Sequence, residues 1–256
     1  MQLPRNDFKH AIAQGRQQIG LWVTLPSGFT AEALATCGYD WLLLDTEHSV
    51  GDPLTVFEQL QAVAPYPVSA VVRPASNDIT LIKRLLDAGA QTLLIPYVQN
   101  AAEAKAAVNA MRYGPRGLRG FAGLTRATRY GTVADYATRV EEELCLLVQV
   151  ETGSALHEIE AIAAVDGVDG IFIGPADLAA SMGHPGDTGH PDVVRAIEDA
   201  IMRIGKAGKP AGILSLDPAF VMRCIDLGTV FTAVDVDANI LLKGAAETAR
   251  KFKSRG

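Results

Sequence analysis

The chain has 256 residues, 48% of them hydrophobic and 20% charged, with a formal net charge of −6. That balance suits a globular fold with ample core material and excludes the basic footprint of a nucleic-acid binder. No apolar run approaches the roughly 18–20 residues that span a bilayer, and the start MQLPRNDFKHAIAQG lacks the apolar stretch of a secretion signal.

The expectation is therefore a soluble, cytoplasmic protein with neither nucleic-acid nor membrane partners. Cys37, Cys145 and Cys224 are widely spaced, odd in number and set among apolar neighbours. They read as buried thiols in a reducing compartment, with no Cys/His zinc spacing.

Short apolar runs recur along the chain, and each is followed by a helical pattern. IGLWV (19–23) leads into TAEALATCG, and WLLLD (41–45) into PLTVFEQLQAVA. SAVVR (69–73) precedes DITLIKRLLDAGA, with Asn77 or Asp78 suited to the N-cap, and TLLIP (92–96) precedes AAEAKAAVNAMR. LCLLVQVE (144–151) is followed by GSALHEIEAIAAV, and VDGIFIG (168–174) by PDVVRAIEDAIMRIGKAG. AGILS (211–215) precedes DPAFVMRCIDLG, and VFTAVDV (230–236) precedes ANILLKGAAETARKF. Gly38, Gly89, Gly208 and Gly228 fall where left-handed C-caps end such helices.

Nearly all eight runs are continuously apolar, the pattern of strands covered on both faces. Eight strand–helix alternations in one chain predict an α/β fold of the (β/α)8 barrel type. An open doubly wound sheet is the competitor, but TLPSGF after the first strand is not a dinucleotide-binding turn. No repeat or low-complexity linker divides the chain, so residues 1–256 are read as one barrel domain.

In a barrel of this kind the active site lies at the C-terminal ends of the strands. The second strand ends in Asp45, Glu47 and His48, and the third in Arg73. Gln149 and Glu151 end the fifth, GPAD (174–177) follows the sixth, and Asp235 and Asp237 close the eighth. Each residue also has a purely structural reading. Asp45 and Asp177 suit capping, Glu151 could complement a helix dipole, His48 could be an ordinary surface histidine, and Arg73 could pair with any of these acids. Their shared position at one mouth favours chemistry.

Glu151 and Asp177 come from adjacent strands, so their oxygens can meet at one cation. Two carboxylates leave most of an octahedral shell open, which suits Mg²⁺, Mn²⁺ or Co²⁺. A 2-oxo acid could chelate such an ion while the amides after Gly174 hold its carboxylate. Arg73 would stabilise an enolate oxygen and His48 would move protons. Imine chemistry needs a lysine at the mouth, yet Lys9, Lys83, Lys105, Lys206, Lys209, Lys243, Lys251 and Lys253 all fall in predicted helices or at their termini. No Schiff-base lysine is expected.

GLWVTLPSGFTAEALATCGYDWLLLDTEH, VRPASNDITLIKRLLDAGAQTLLIPYVQNAAEA, RYGPRGLRG, VQVET and GVDGIFIGPADLAASMG together resemble the HpcH/HpaI aldolase family. The resemblance runs from about Phe8 to the C-terminus. It implies a metal-dependent class II pyruvate aldolase, similar to the 4-hydroxy-2-oxo-heptanedioate aldolases of aromatic-acid catabolism. It places the general base on His48, the transition-state arginine on Arg73 and the metal ligands on Glu151 and Asp177. It places pyruvate contacts on Gln149, Ala176 and Asp177, with Leu214 near the acceptor side. Thr46 stands where the family has glycine, a local departure.

The resemblance further marks Asp87 as the acid that raises the basicity of the catalytic histidine. Asp87 precedes a strand, so it lies at the opposite end of its own barrel and can reach His48 only of a neighbouring subunit. Homohexamers with sites completed by neighbours are implied. The segment 112–131, with five Arg and five Gly, reads as a solvated basic loop or as a border of a neighbour's pocket.

The resulting expectation is an enzyme that reversibly cleaves 4-hydroxy-2-oxo acids into pyruvate and an aldehyde. The rivals are a related acyl-CoA lyase and a non-catalytic metabolite-binding barrel. The first would need a basic CoA groove and usually a longer chain, and the intact His48, Arg73, Glu151 and Asp177 weigh against the second.

Overall fold

The computed structural model describes residues 1–253. The first half runs α1 (Asp7–Ala13), β1 (Gln18–Val23), α2 (Gly28–Ala35), β2 (Trp41–Asp45), α3 (Pro53–Val63), β3 (Ser69–Arg73), α4 (Ile79–Asp87), β4 (Thr92–Ile95) and α5 (Ala101–Met111). After α6 (Tyr136–Arg139) and a 3₁₀ turn (Val140–Glu142) come β5 (Cys145–Val150), α7 (Gly153–Leu156), α8 (Ile159–Ala163), β6 (Gly170–Ile173) and α9 (Pro175–Ser181). The chain continues through α10 (Pro191–Lys206), β7 (Ala211–Leu214), α11 (Pro218–Asp226), β8 (Thr229–Val236) and α12 (Asp237–Lys253). The strands form a closed barrel in sequence order, and β8 pairs in parallel with β1. The (β/α)8 expectation is met, with every apolar run on a strand.

Local signals account for the helix boundaries. Asp52, Asp78 and Asp217 accept backbone N–H bonds at the starts of α3, α4 and α11. Gly38, Gly89, Gly208 and Gly228 have φ of 87°, 100°, 77° and 109°, the left-handed turn a helix end favours. Two details differ from expectation. GSALHEIEAIAAV breaks into α7 and α8, and Cys37 is exposed in the turn after α2 while Cys145 and Cys224 are buried.

Strand parity divides the apolar residues into two layers. Leu42, Leu44, Val72, Leu93, Ile95, Val148, Ile171 and Ile173 face outward and pack beneath the helices. Trp22, Trp41, Leu43, Val71, Leu94, Leu147, Phe172 and Phe231 fill the interior. Gly20 and Gly212 make room there, since a Cβ at either would run into the rings of Trp41 and Phe231. Phe8 of α1 closes the floor, its ring 5.7 Å from Trp41 and 5.9 Å from Phe231.

The parity that places Leu43, Val71 and Leu147 inside carries Asp45, Arg73 and then Gln149 and Glu151 to the inner face at the mouth. The eighth-strand acids go elsewhere. Asp237 accepts from Thr24 N and Oγ1 at 2.9 and 2.8 Å and from Leu25 N at 3.0 Å, tying the end of β8 to β1. Asp235 Oδ1 accepts from Val236 N and Asn239 Nδ2. Both acids are structural. Beyond them α12 leaves the barrel: of its residues only Asp237 is buried, and Ile240, Leu241, Leu242 and Phe252 are exposed.

Candidate active site

Asp45 and Arg73 sit opposite one another in the β2–β3 register. Arg73 donates from Nε to Asp45 Oδ1 at 2.8 Å and from Nη2 to Oδ2 at 2.7 Å, a buried two-pronged pair. Trp22 donates its indole N–H to Asp45 Oδ2 at 3.3 Å and lies under the guanidinium, 4.8 Å from ring centre to Cζ. Burial alone would raise the Asp45 carboxyl. The Arg73 fork, with the Glu47 N–H and Trp22, outweighs it and holds the group below the usual carboxylate range. Asp45 is thus consumed in orienting Arg73. Thr46, the departure noted above, donates from N and from Oγ1 to the Arg73 carbonyl at 3.0 and 2.7 Å, pinning the ends of β2 and β3 together.

The third guanidinium nitrogen, Nη1, stands 2.7 Å from Glu47 Oε2. Burial pushes the Glu47 carboxyl up, and nearby Asp45 and Asp177 add to this against the pull of Arg73 and His48. His48 Nε2 lies 3.9 Å from Glu47 Oε2, with its side chain 64% exposed at the rim.

Glu151 is buried. Its Oε1 accepts from Tyr97 N at 2.8 Å and its Oε2 from Gln149 Nε2. Tyr97 adopts φ 55°, a left-handed conformation unusual outside glycine, and is the residue that aims this N–H. Gly174, at the start of α9, passes so close that a Cβ would stand 2.5 Å from Glu151 Oε2. Burial, reinforced by Glu47 and Asp177, raises the Glu151 carboxyl to about 7 despite its two hydrogen bonds. Gln149 Oε1 is left buried without a donor.

Asp45 and Glu47 share the Arg73 guanidinium, while Glu151 feels the like charges of Glu47 and Asp177. Arg73 is already bonded to Asp45 and paired with Glu47, so Glu151 and Asp177 have no cation of their own. A set of hard oxygen donors with surplus negative charge and a destabilised buried carboxylate fits a divalent ion. Ala176 and Leu214 line an adjoining, largely apolar cavity with Pro175, Thr188 and Phe220.

The structure brings Arg73, Gln149, Glu151, Asp177 and His48 to one mouth and places Ala176 and Leu214 beside it. It does not bring Asp87 there. Asp87 ends α4 just before β4 begins, at the opposite end of the barrel. Its Oδ1 accepts from Arg119 Nη2 at 2.7 Å, and the Arg119 guanidinium packs over Tyr113. Segment 112–131 is exposed along much of its length, but not all of its arginines are solvated. Arg119 and Arg126 turn inward, Arg126 donating to the carbonyls of Ala88 and Leu60, while Leu118, Phe121 and Leu124 stand exposed.

Sequence reasoning missed Trp22 and Tyr97. Trp22 sits in GLWV and reads as ordinary core, and nothing in IPYVQ signals a left-handed tyrosine. Strand parity from Trp22 to Asp45 was the one available signal.

The family model for HpcH/HpaI aldolase/citrate lyase matches residues 18–243. A pyruvate aldolase of Rhizobium etli is 62% identical over 98% of this chain and 99% of its own length. A 4-hydroxy-2-oxo-heptane-1,7-dioate aldolase of Klebsiella pneumoniae is 53% identical over 96% and 94%. Among solved structures, an HpcH/HpaI aldolase/citrate lyase family protein of Burkholderia cenocepacia superposes with a TM-score of 0.93 at 38% identity, covering 97% of this chain and 99% of that one.

Proposed function

Since the chain belongs to the HpcH/HpaI aldolase/citrate lyase family, we propose that the mouth described above is the centre of a divalent-metal-dependent aldolase. The enzyme is a carbon–carbon lyase that cleaves 4-hydroxy-2-oxo acids to pyruvate and an aldehyde, in line with its aldolase relatives. The observation that carries the metal is the buried Glu151 carboxylate, raised to about 7 beside Asp177 with no cation of its own.

Glu151 and Asp177 are the ligands, and Mg²⁺, Mn²⁺ and Co²⁺ all suit their oxygens. When bound, the ion supplies Lewis acidity toward the carboxylate and keto oxygens of the 2-oxo acid. Tyr97 N and the Gln149 amide hold Glu151 in place, and Gln149 Oε1 remains for the substrate side. Ala176 and Leu214 form the wall that the acceptor end meets. His48 takes the proton from the C4 hydroxyl as the C4=O bond of the aldehyde forms. The C3–C4 bond breaks, and its electron pair moves into the pyruvate enolate. Arg73, fixed from behind by Asp45 and Trp22, stabilises the developing enolate oxygen. Protonation at C3 then releases pyruvate. No lysine takes part in this scheme.

Asp87 raises the basicity of His48 from a neighbouring subunit, since it lies at the far end of its own barrel. The exposed apolar face of α12 and the exposed Leu118, Phe121 and Leu124 favour the neighbouring subunit that this pairing requires, and a homohexamer supplies one. The cytoplasm is the setting that goes with free cysteines, and the catabolism of aromatic acids is the role nearest to the heptanedioate aldolases.

The chemistry is tested with chelator and borohydride. EDTA should abolish retro-aldol cleavage, and Mn²⁺ or Co²⁺ should restore it. Borohydride with pyruvate should leave the enzyme active. Full activity in chelator would remove the metal from the mechanism, and inactivation by borohydride would replace it with an imine.

A further inference from the structure

A second group of ligating side chains gathers where α9 gives way to α10. His184, His190 and Asp192 each offer a ligand atom, and these atoms all lie within 4.8 Å of one another. The two imidazoles stack face to face, with centroids 3.5 Å apart and 14° between their planes. The segment that carries them is short and braced. His184 N donates to Ala179 O at 2.8 Å, Asp187 N to His184 O at 3.0 Å, and His190 N to Asp187 O at 3.2 Å.

His190 Nδ1 accepts from Asp192 N at 3.2 Å, a long bond for a helix cap, and lies 3.9 Å from Asp192 Oδ2. An ion bound tetrahedrally to nitrogen and oxygen at roughly 2.0–2.2 Å needs them about 3.3–3.6 Å apart, so on binding Asp192 draws in slightly and His190 Nδ1 releases the Asp192 N–H. Asp192 brings the negative charge, but Arg195 is already bonded to its Oδ1 and competes for it.

We propose that His184, His190 and Asp192 form a second cation site, selective for borderline transition ions such as Zn²⁺ or Ni²⁺. Two imidazoles and one carboxylate are donors these ions favour, whereas Mg²⁺ takes oxygen and dehydrates reluctantly. The site is therefore chemically distinct from the all-oxygen pair Glu151 and Asp177. Both rings are half-buried and turn about Cβ–Cγ to direct a lone pair at the ion, at the expense of their stacking. Thr188, on the same segment, lines the cavity of Ala176 and Leu214. An ion here fastens that segment beside the acceptor wall. The inference does not rest on the aldolase mechanism.

Calorimetric titration of the chelator-stripped full-length protein with Ni²⁺ tests it. The wild type should bind one more Ni²⁺ per chain than the His184→Ala/His190→Ala variant, while both take up the same amount of Mg²⁺. Glu151→Gln should retain this Ni²⁺ site. Equal Ni²⁺ stoichiometry in the wild type and the double variant, at matched Tm, overturns the proposal. Should the double variant prove unstable, Arg195→Ala decides. Release of Asp192 should tighten Ni²⁺ several-fold, and an unchanged affinity likewise overturns the site.

Discussion

At the scale of single residues, the mouth divides its charges between a fixed pair and an uncompensated one. Arg73 uses Nε and Nη2 on Asp45 and leaves Nη1 beside Glu47. A lysine offers one ammonium where two directed N–H bonds and an ion pair are in use. Arg73→Lys should lower kcat roughly 100-fold, the scale of losing one oxyanion donor. Steady-state kinetics that showed only a raised KM would make Arg73 a binding residue instead.

Glu151 carries a pH dependence of definite sign. Its folded value of about 7 lies above the ordinary 4.5, so below 4.5 both states are protonated and folding loses nothing. As pH rises from 4.5 to 7 the unfolded chain ionises first and the fold loses stability, on the order of 3 kcal/mol in all. In metal-free protein Glu151→Gln should therefore raise Tm at pH 8, with the gain fading as pH falls toward 4.5. Added Mn²⁺ should reverse the order, since only the wild type gains a ligand. A Tm difference independent of pH would contradict the assignment. His48, Arg73 and Glu151 were legible as polar residues closing apolar runs. Tyr97 was not, because its part is played by a backbone N–H.

At the scale of elements, the eight strands were legible because parallel strands covered on both faces are apolar throughout. The same property hid their parity, so inward and outward residues separated only in the closed barrel. Helix α1 was not among the elements read from apolar runs: its seven residues hold two large apolar side chains, Phe8 and Ile12, a single i,i+4 pair. Yet Phe8 fills the floor against Trp41 and Phe231. Phe8→Ala should destabilise the fold by about 3–5 kcal/mol, measured by denaturant unfolding, and a loss below 1 kcal/mol would show that the floor collapses around the gap. In segment 112–131 composition counts the arginines without saying which of them turn inward. Arg119 and Arg126 brace the end of α4.

At the scale of the whole molecule, His48 and Asp87 belong to opposite ends of one barrel, so a functional pair between them needs two chains. Co-expressed His48→Ala and Asp87→Asn chains should recover roughly a quarter of wild-type sites by random mixing in a symmetric assembly. No recovery above the two separate variants would return Asp87 to a purely structural role with Arg119.

The sequence by itself determined the strand count, the barrel and the residues that end its strands, because burial on both faces and helix capping leave local marks. Tertiary structure alone decided which acids share the mouth. Asp237 lies at a strand end like Glu151, yet it closes the barrel against Thr24 and Leu25, while Glu151 is buried beside Gly174 among like charges. The difference arises from strand parity and from the neighbours across the sheet, which come from distant parts of the chain and leave no trace in the local pattern.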